Sequence, residues 1–341
     1  MWSSSRCAAA ATPAMTIPTD NPAGRAPAWR ASEPEPGGDS LPGMRWHPDH
    51  LARMLCVPYV PTLGPVHPAA LSPTLFGAVA AVAGTGRFLP HDPDQRWSAT
   101  KDEQVLPDRI HQGPEQVIVP TLRHRAGGTI TMYHYQPIPP ELPSALEVAA
   151  MLRSTYQVAT GRVVWFGPDP AGDKPADATP GTRRTRVLLK NFDHTTPLDP
   201  VPEQVVDLDS STPQVRASFA SFATAMAGEG FGFLHTRWQA GMVDGPILVA
   251  VADHQVVGAI GPLRILPDPV GVRRLLPQYL AVLPTHRSRG HGRALWRTAA
   301  RWGQFNGAAY QLLQAVVDGA SDRMFLTEGL TSLGFVCQAT T

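Results

Sequence analysis

The run Leu280-Ala281-Val282-Leu283-Pro284-Thr285-His286-Arg287-Ser288-Arg289-Gly290-His291-Gly292-Arg293-Ala294-Leu295 holds the residue types best suited to chemistry. A strand leads into a glycine-containing loop, and the loop opens an amphipathic helix. Such a turn suits a diphosphate. The first turn of a helix presents unpaired N–H groups and a partial positive charge. Glycine lets a phosphate reach the backbone with no side chain between them. Arg287, Arg289 and Arg293 can add charge-assisted hydrogen bonds to the same phosphates. Two other phosphate loops are excluded. A dinucleotide fingerprint needs a third glycine where Leu295 stands. A P-loop needs a lysine and a hydroxyl after Gly292, where Arg293 and Ala294 follow instead.

Arg287-x-x-Gly290-x-Gly292, after Val282-Leu283-Pro284 and before Ala294-Leu295, resembles the acyl-CoA loop of the GNAT superfamily of N-acyltransferases. Downstream, Ser332-Leu333-Gly334-Phe335 resembles that family's closing Leu-Gly-Phe. The resemblance spans about residues 205–341 and does not reach the first 200. It implies a GNAT-like α/β fold, a mixed twisted central sheet flanked by helices, with a further α/β region on its N-terminal side. The strand through Leu280, Ala281 and Val282 would pair with the pantetheine arm, and its splay from 311–317 would open a V-shaped cleft. Arg287, Ser288, Arg289, Gly290, His291, Gly292 and Arg293 would hold the pyrophosphate, most of them through backbone N–H groups. An amine would attack the acetyl carbonyl of acetyl-CoA, used as co-substrate, with a backbone N–H near Val282 stabilising the developing negative charge.

The chain departs from the family where a tyrosine usually protonates the leaving thiolate, because that position is Leu330. Arg323 stands near where an asparagine often contacts the coenzyme. Tyr279, on the cofactor strand, is the candidate catalytic acid. His286 and His291 read as loop residues and Glu328 as a solvated helix face. The expected activity is N-acetylation of a primary amine on a small-molecule or amino-acid-like acceptor. The alternative is a catalytically degenerate acyl-CoA-binding protein. The acceptor and the oligomeric state, a homodimer among the options, stay open.

These residues need elements to hold them. A hydroxyl cap and proline within Ser211-Thr212-Pro213-Gln214 start a helix whose Val215, Phe219, Phe222 and Met226 share one face. Apolar runs at 246–252 and 255–260 read as a hairpin about Asp253-His254, and 277–283 as the next strand. A helix follows over 293–305, with Leu295, Ala299 and Trp302 on its core side, then a strand at 311–317. A helix at 321–333, ended by Gly334, precedes a last strand at 335–339. Upstream, helices are expected at 75–82 and 145–157, and strands at 117–122, 129–135, 162–166 and 184–192. A Gly/Pro/Asp-rich loop covers 168–185, and no internal repeat is visible. The organisation is thus a disordered Pro/Ala-rich arm over 1–45, a mixed α/β region of unassigned role over 46–200, and the acyl-CoA-binding domain over 201–341. Met15 and Met44 are alternative starts.

Composition bounds the rest. With 341 residues and 43% hydrophobic content, the chain can bury a real core. Its 29 basic and 28 acidic residues leave a net charge of +1, which excludes the basic excess of a nucleic-acid binder. Three widely spaced cysteines, Cys7, Cys56 and Cys337, suggest reduced thiols rather than a disulfide framework. No apolar run reaches membrane length, and the alanine tract before Pro13 makes a poor signal core. The expected location is the cytoplasm, with no membrane or nucleic-acid partner. No metal site is expected, since His47, Asp49 and His50 beside Pro48 fit a loop or helix cap.

Overall fold

The computed structural model describes residues 48–125, 127–168, 181–193 and 204–341. The arm expected over 1–45, the starts at Met15 and Met44, Cys7, His47 and positions 169–180 of the Gly/Pro/Asp-rich loop lie outside the described residues.

The N-terminal region runs α1 (Pro48–Met54), α2 (Pro73–Ala81), β1 (Glu103–Val105), β2 (Val117–Arg123), β3 (Thr129–Tyr135), α3 (Leu142–Thr155), β4 (Thr160–Gly167) and β5 (Arg183–Asn191). The rest runs β6 (Val205–Asp207), α4 (Pro213–Ala225), α5 (Phe231–Gln239), β7 (Leu248–Ala252), β8 (Gln255–Gly261), β9 (Ile265–Pro267), β10 (Arg273–Leu275), β11 (Tyr279–Val282), α6 (His291–Phe305), β12 (Tyr310–Val316), α7 (Ala320–Thr327) and β13 (Thr331–Thr340).

Two sheets position the site. The larger follows the order β9-β10-β12-β5-β13-β4-β3-β2-β1 and is mixed, with β10/β12 and β3/β4 parallel. The smaller follows the order β11-β8-β7-β6 and is antiparallel. The fold is thus a mixed α/β architecture with a central mixed sheet flanked by helices. Strand β5, from the N-terminal region, lies between β12 and β13, so both regions share one sheet.

Both faces of that sheet are covered, as the period of two requires. Val187 and Leu189 enter a core with Leu75, Phe76 and Val79 of α2, while Leu188 between them enters a second core with Leu295 and Ala299 of α6. In the smaller sheet, Ala281, Ala259 and Val249 pack on Val215, Phe219 and Phe222 of α4. Their neighbours Leu280 and Ile260 face the α6 side. Thr212 caps α4 by accepting the Val215 amide, with Pro213 in the first turn.

One expected boundary is corrected. The helix placed at 321–333 ends at Thr327, and its glycine stop is Gly329, not Gly334. Gly329, at φ +75°, donates to the Leu326 carbonyl, and the Leu330 amide donates to that of Phe325. This is a Schellman closure, whose usual apolar contact is here Leu330 on Phe325. Gly334 instead lies in β13 at a register shift, where a Cβ would come within 2.7 Å of both the Gly167 carbonyl and the Val57 side chain.

The topology also recurs where no sequence repeat is visible. A hairpin, a helix and a strand follow one another in β2-β3-α3-β4 and again in β8-β11-α6-β12, with β9 and β10 inserted. In the first unit β3 and β4 are hydrogen-bonded neighbours. In the second, β11 and β12 belong to different sheets, and a gap opens between them.

Candidate active site

Strand β11 ends its sheet. The Leu283 amide bonds to the Val257 carbonyl, and Ala281 pairs with Ala259. Antiparallel alternation therefore turns the amides of Leu280 and Val282 away from β8, toward the gap. A cleft of ≈ 780 Å³ fills the gap, bounded by Leu280, Ala281 and Val282 on one side and Gln314, Ala315 and Val316 on the other. A second cavity of ≈ 420 Å³ adjoins it and shares Leu280, Gln314 and Ser321 with it. The walls of the second cavity come from far apart in the chain: Leu63–Pro65, Pro93, Asp94, Arg96 and Trp97, Arg274–Gln278 and the middle of β12.

The loop between β11 and α6 closes one end of the larger cleft. Ser288 and Gly290 adopt positive φ, +61° and +86°, which folds the chain sharply before α6. No side chain among the described residues caps α6, and its first intrahelical bond is donated by Ala294 to Gly290. The N–H groups of His291, Gly292 and Arg293 are therefore free of helical partners, at the positive end of a 15-residue helix.

Of the residues expected to hold a cofactor, Ala281, Val282, Arg287, Ser288, Gly290, His291, Gly292 and Arg293 line the cleft; Arg289 is exposed beside it. Arg287 Nε donates to the Val282 carbonyl at 3.1 Å. Arg293 pairs with Glu328 at 2.9 Å, and Glu328 also binds Arg297 at 2.7 Å, so Glu328 tethers the start of α6. The His291 pKa is lowered by burial and by His286 and Arg289, which favours the neutral ring.

Tyr279 lines neither cavity. Its ring faces Phe231 at 6.2 Å and Trp97 at 5.9 Å, behind the wall of the smaller cavity. A side chain on Gly230 would come within 2.4 Å of that ring, so glycine is required there both for contact and for its φ of +88°. Burial raises the Tyr279 pKa. Leu330, read from the sequence as standing at an acid's usual position, is core.

Sequence reasoning missed Met226, Glu229, Gln314, Ser321 and Met324 in the larger cleft and every N-terminal residue of the smaller cavity. None sits in a local motif, and only the tertiary fold brings them to the loop. His50, weighed as a metal ligand, has its Nε2 against the Gly113 carbonyl at 2.9 Å. Among the described residues no cluster of three or more His, Cys, Asp or Glu is placed to hold a metal, and no helix is long and apolar enough to cross a membrane.

Residues 213–326 match the family model of the GNAT acetyltransferases. No curated protein sequence matches the chain. Among solved structures it is similar to a GCN5-related N-acetyltransferase from Sphaerobacter thermophilus (14% identical over 68% of this chain and 82% of that one, TM-score 0.40). It is also similar to a GNAT acetyltransferase from Colwellia psychrerythraea (11% identical over 80% and 96%, TM-score 0.41). A third is a GCN5-related N-acetyltransferase from Kribbella flavida (16% identical over 67% and 88%, TM-score 0.39).

Proposed function

Because residues 213–326 carry a domain of the GNAT acetyltransferase family, we propose that the protein transfers an acetyl group from acetyl-CoA to the primary amine of a small-molecule acceptor. The observation that carries this reading is the separation of β11 from β12, with a cleft between them that adjoins a second cavity.

Acetyl-CoA would supply the activated thioester. The chain's contribution is position and electrostatics. The α6 N-terminus and the Ser288–Gly290 turn offer N–H groups to a diphosphate, and Arg287 and Arg289 add positive charge. The open edge of β11 offers the backbone groups of Leu280 and the N–H of Val282 to an extended, amide-bearing arm, as an added strand would use them. The Val282 N–H can then face negative charge developing at the carbonyl. The amine enters through the smaller cavity, and Gln314 and Ser321 lie where the two spaces meet. The N-terminal region, in this reading, builds the acceptor wall.

The test is free-thiol release from acetyl-CoA over a broad panel of primary amines, with acetyl-CoA binding followed by calorimetry. Binding with turnover of at least one amine supports the transferase. Leu330, buried where a proton donor would stand, favours a second reading, a binding protein without catalysis. Tight binding with no turnover on any amine would select it. Absence of binding would overturn both.

A further inference from the structure

The smaller cavity has a charge pattern that bears on its ligand. Three of its lining residues carry ionisable side chains: Asp94, Arg96 and Arg274. Asp94 is paired with Lys101 at 2.9 Å. Arg96 forms a two-pronged pair with Asp244, at 2.7 and 3.1 Å, and also donates to the Pro262 carbonyl. Arg274 differs. It is only 5% exposed, yet it makes no ion pair among the described residues. Its Nη2 donates to the His91 carbonyl at 2.8 Å, and its Nε is buried with no partner.

Asp268 and Asp92 act on Arg274 electrostatically, but neither forms an ion pair with its guanidinium. Asp268 accepts the Tyr310 hydroxyl at 2.8 Å through one oxygen and the Val270 and Val272 amides at 2.9 Å through the other. Asp92 pairs with Lys101 at 2.9 Å. A guanidinium removed from water without a bonded anion is costly, and a planar fork of donors is matched best by a carboxylate. Asp92, Asp94 and Asp268 outnumber Lys101 and Arg274 around this wall, so a carboxylate monoanion is repelled less than a phosphate dianion.

Resting on the acceptor assignment above, we infer that Arg274 anchors a carboxylate on the acceptor, which is therefore an amino acid or a closely related amino-carboxylate. The cavity of ≈ 420 Å³ is of the size that holds such a molecule. Arg274 is in register with Tyr310 at the start of β12, and Gln314 lies four residues further along that strand. The anchor thus lies beside the start of β12 and the meeting point of the two cavities further along it, so a molecule in the cavity can reach from one to the other.

The experiment compares free amino acids, α- and ω-, with their carboxamides and with phosphoethanolamine, in the wild-type protein and in R274Q and R274K. Thiol release gives kcat/KM, and calorimetry gives acetyl-CoA affinity. The wild type should prefer carboxylates over carboxamides by about 100-fold, the weight of a charge-assisted hydrogen-bonded pair. R274Q should bring the two within about 3-fold by raising KM for carboxylates alone, with acetyl-CoA affinity unchanged, and R274K should restore part of the preference. Turnover without a carboxylate preference, a preference for phosphoethanolamine, or a preference retained in R274Q overturns the inference and leaves the transferase reading intact. The wild-type comparison decides even if both variants fail to fold. If the wild type binds acetyl-CoA but acetylates nothing, the transferase reading fails. Arg274 is then judged by thermal shifts with the same compounds, and equal shifts from carboxylates and carboxamides overturn it.

Discussion

The Arg287 guanidinium donates its Nε–H to the carbonyl of Val282 at 3.1 Å, tying the loop to the open edge of β11. Arg287 therefore shapes the loop and charges the mouth of the cleft at once. Removing the side chain in R287A frees the Val282 carbonyl and takes one positive charge from the cleft. Acetyl-CoA affinity should fall about 10-fold, the weight of one or two hydrogen bonds to charged groups. Calorimetry at low and high salt checks this, and the loss should shrink as salt rises. An unchanged dissociation constant would remove Arg287 from the coenzyme site.

Gly292 tests the loop more directly. A Cβ there would stand 3.7 Å from the Val282 side chain and 3.9 Å from the Met324 sulfur, ordinary contacts that the fold absorbs. The branches of a valine would extend into the space proposed for phosphate. G292V should keep its melting temperature within a few degrees, since valine suits a helix no worse than glycine. Its acetyl-CoA affinity should drop by more than about 30-fold, through loss of close backbone approach. A variant that melts normally and still binds would place the coenzyme elsewhere.

The parts of this architecture written in the sequence are the local ones. The Thr212-Pro213 cap, the apolar face of α4 and the strand–loop–helix from Leu280 to Phe305 depend on residues a few positions apart. The glycine at the end of α7 was mislocated, because Gly329 and Gly334 look alike until one is seen closing a helix and the other relieving a strand bulge. Helix α5 and the short strands β9 and β10 carry weak periodicity, and tertiary packing decides them. The wall of the smaller cavity was out of reach altogether. It is made by contacts such as Arg96 with Asp244 and Arg274 with the His91 carbonyl, 148 and 183 residues apart. The insertion of β5 between β12 and β13 has no local signature either.

Tyr279 separates packing from proton transfer. Its ring is held by Phe231, Trp97 and the close backbone of Gly230. Y279F keeps that ring and removes only the hydroxyl. If the phenol serves as part of the acceptor wall's support, kcat should stay within about 3-fold of wild type and acetyl-CoA affinity should not move. A fall in kcat of more than about 30-fold at constant affinity would make the phenol the acid for the departing thiolate. S321A in the same assay tests the hydroxyl at the junction of the two cavities.

His134 gives a pH dependence far from the cleft. It lies in β3, 4% exposed, opposite Ile118 and Trp165, and among the described residues neither ring nitrogen has a hydrogen-bond partner. Burial alone lowers its pKa to about 4 from the ordinary 6.5. The folded state thus keeps the ring neutral while the unfolded chain takes up a proton between these values. Because the unfolded state binds more protons there, stability is full above about pH 6.5 and falls as the pH drops toward 4. At pH 5 the loss from this one residue should be about 2 kcal/mol. Urea unfolding of wild type and H134L at pH 7.5 and pH 5 measures it. The leucine variant, with nothing to protonate, should lose correspondingly less between the two pH values. An equal loss in both proteins would show that the acid sensitivity comes from other groups.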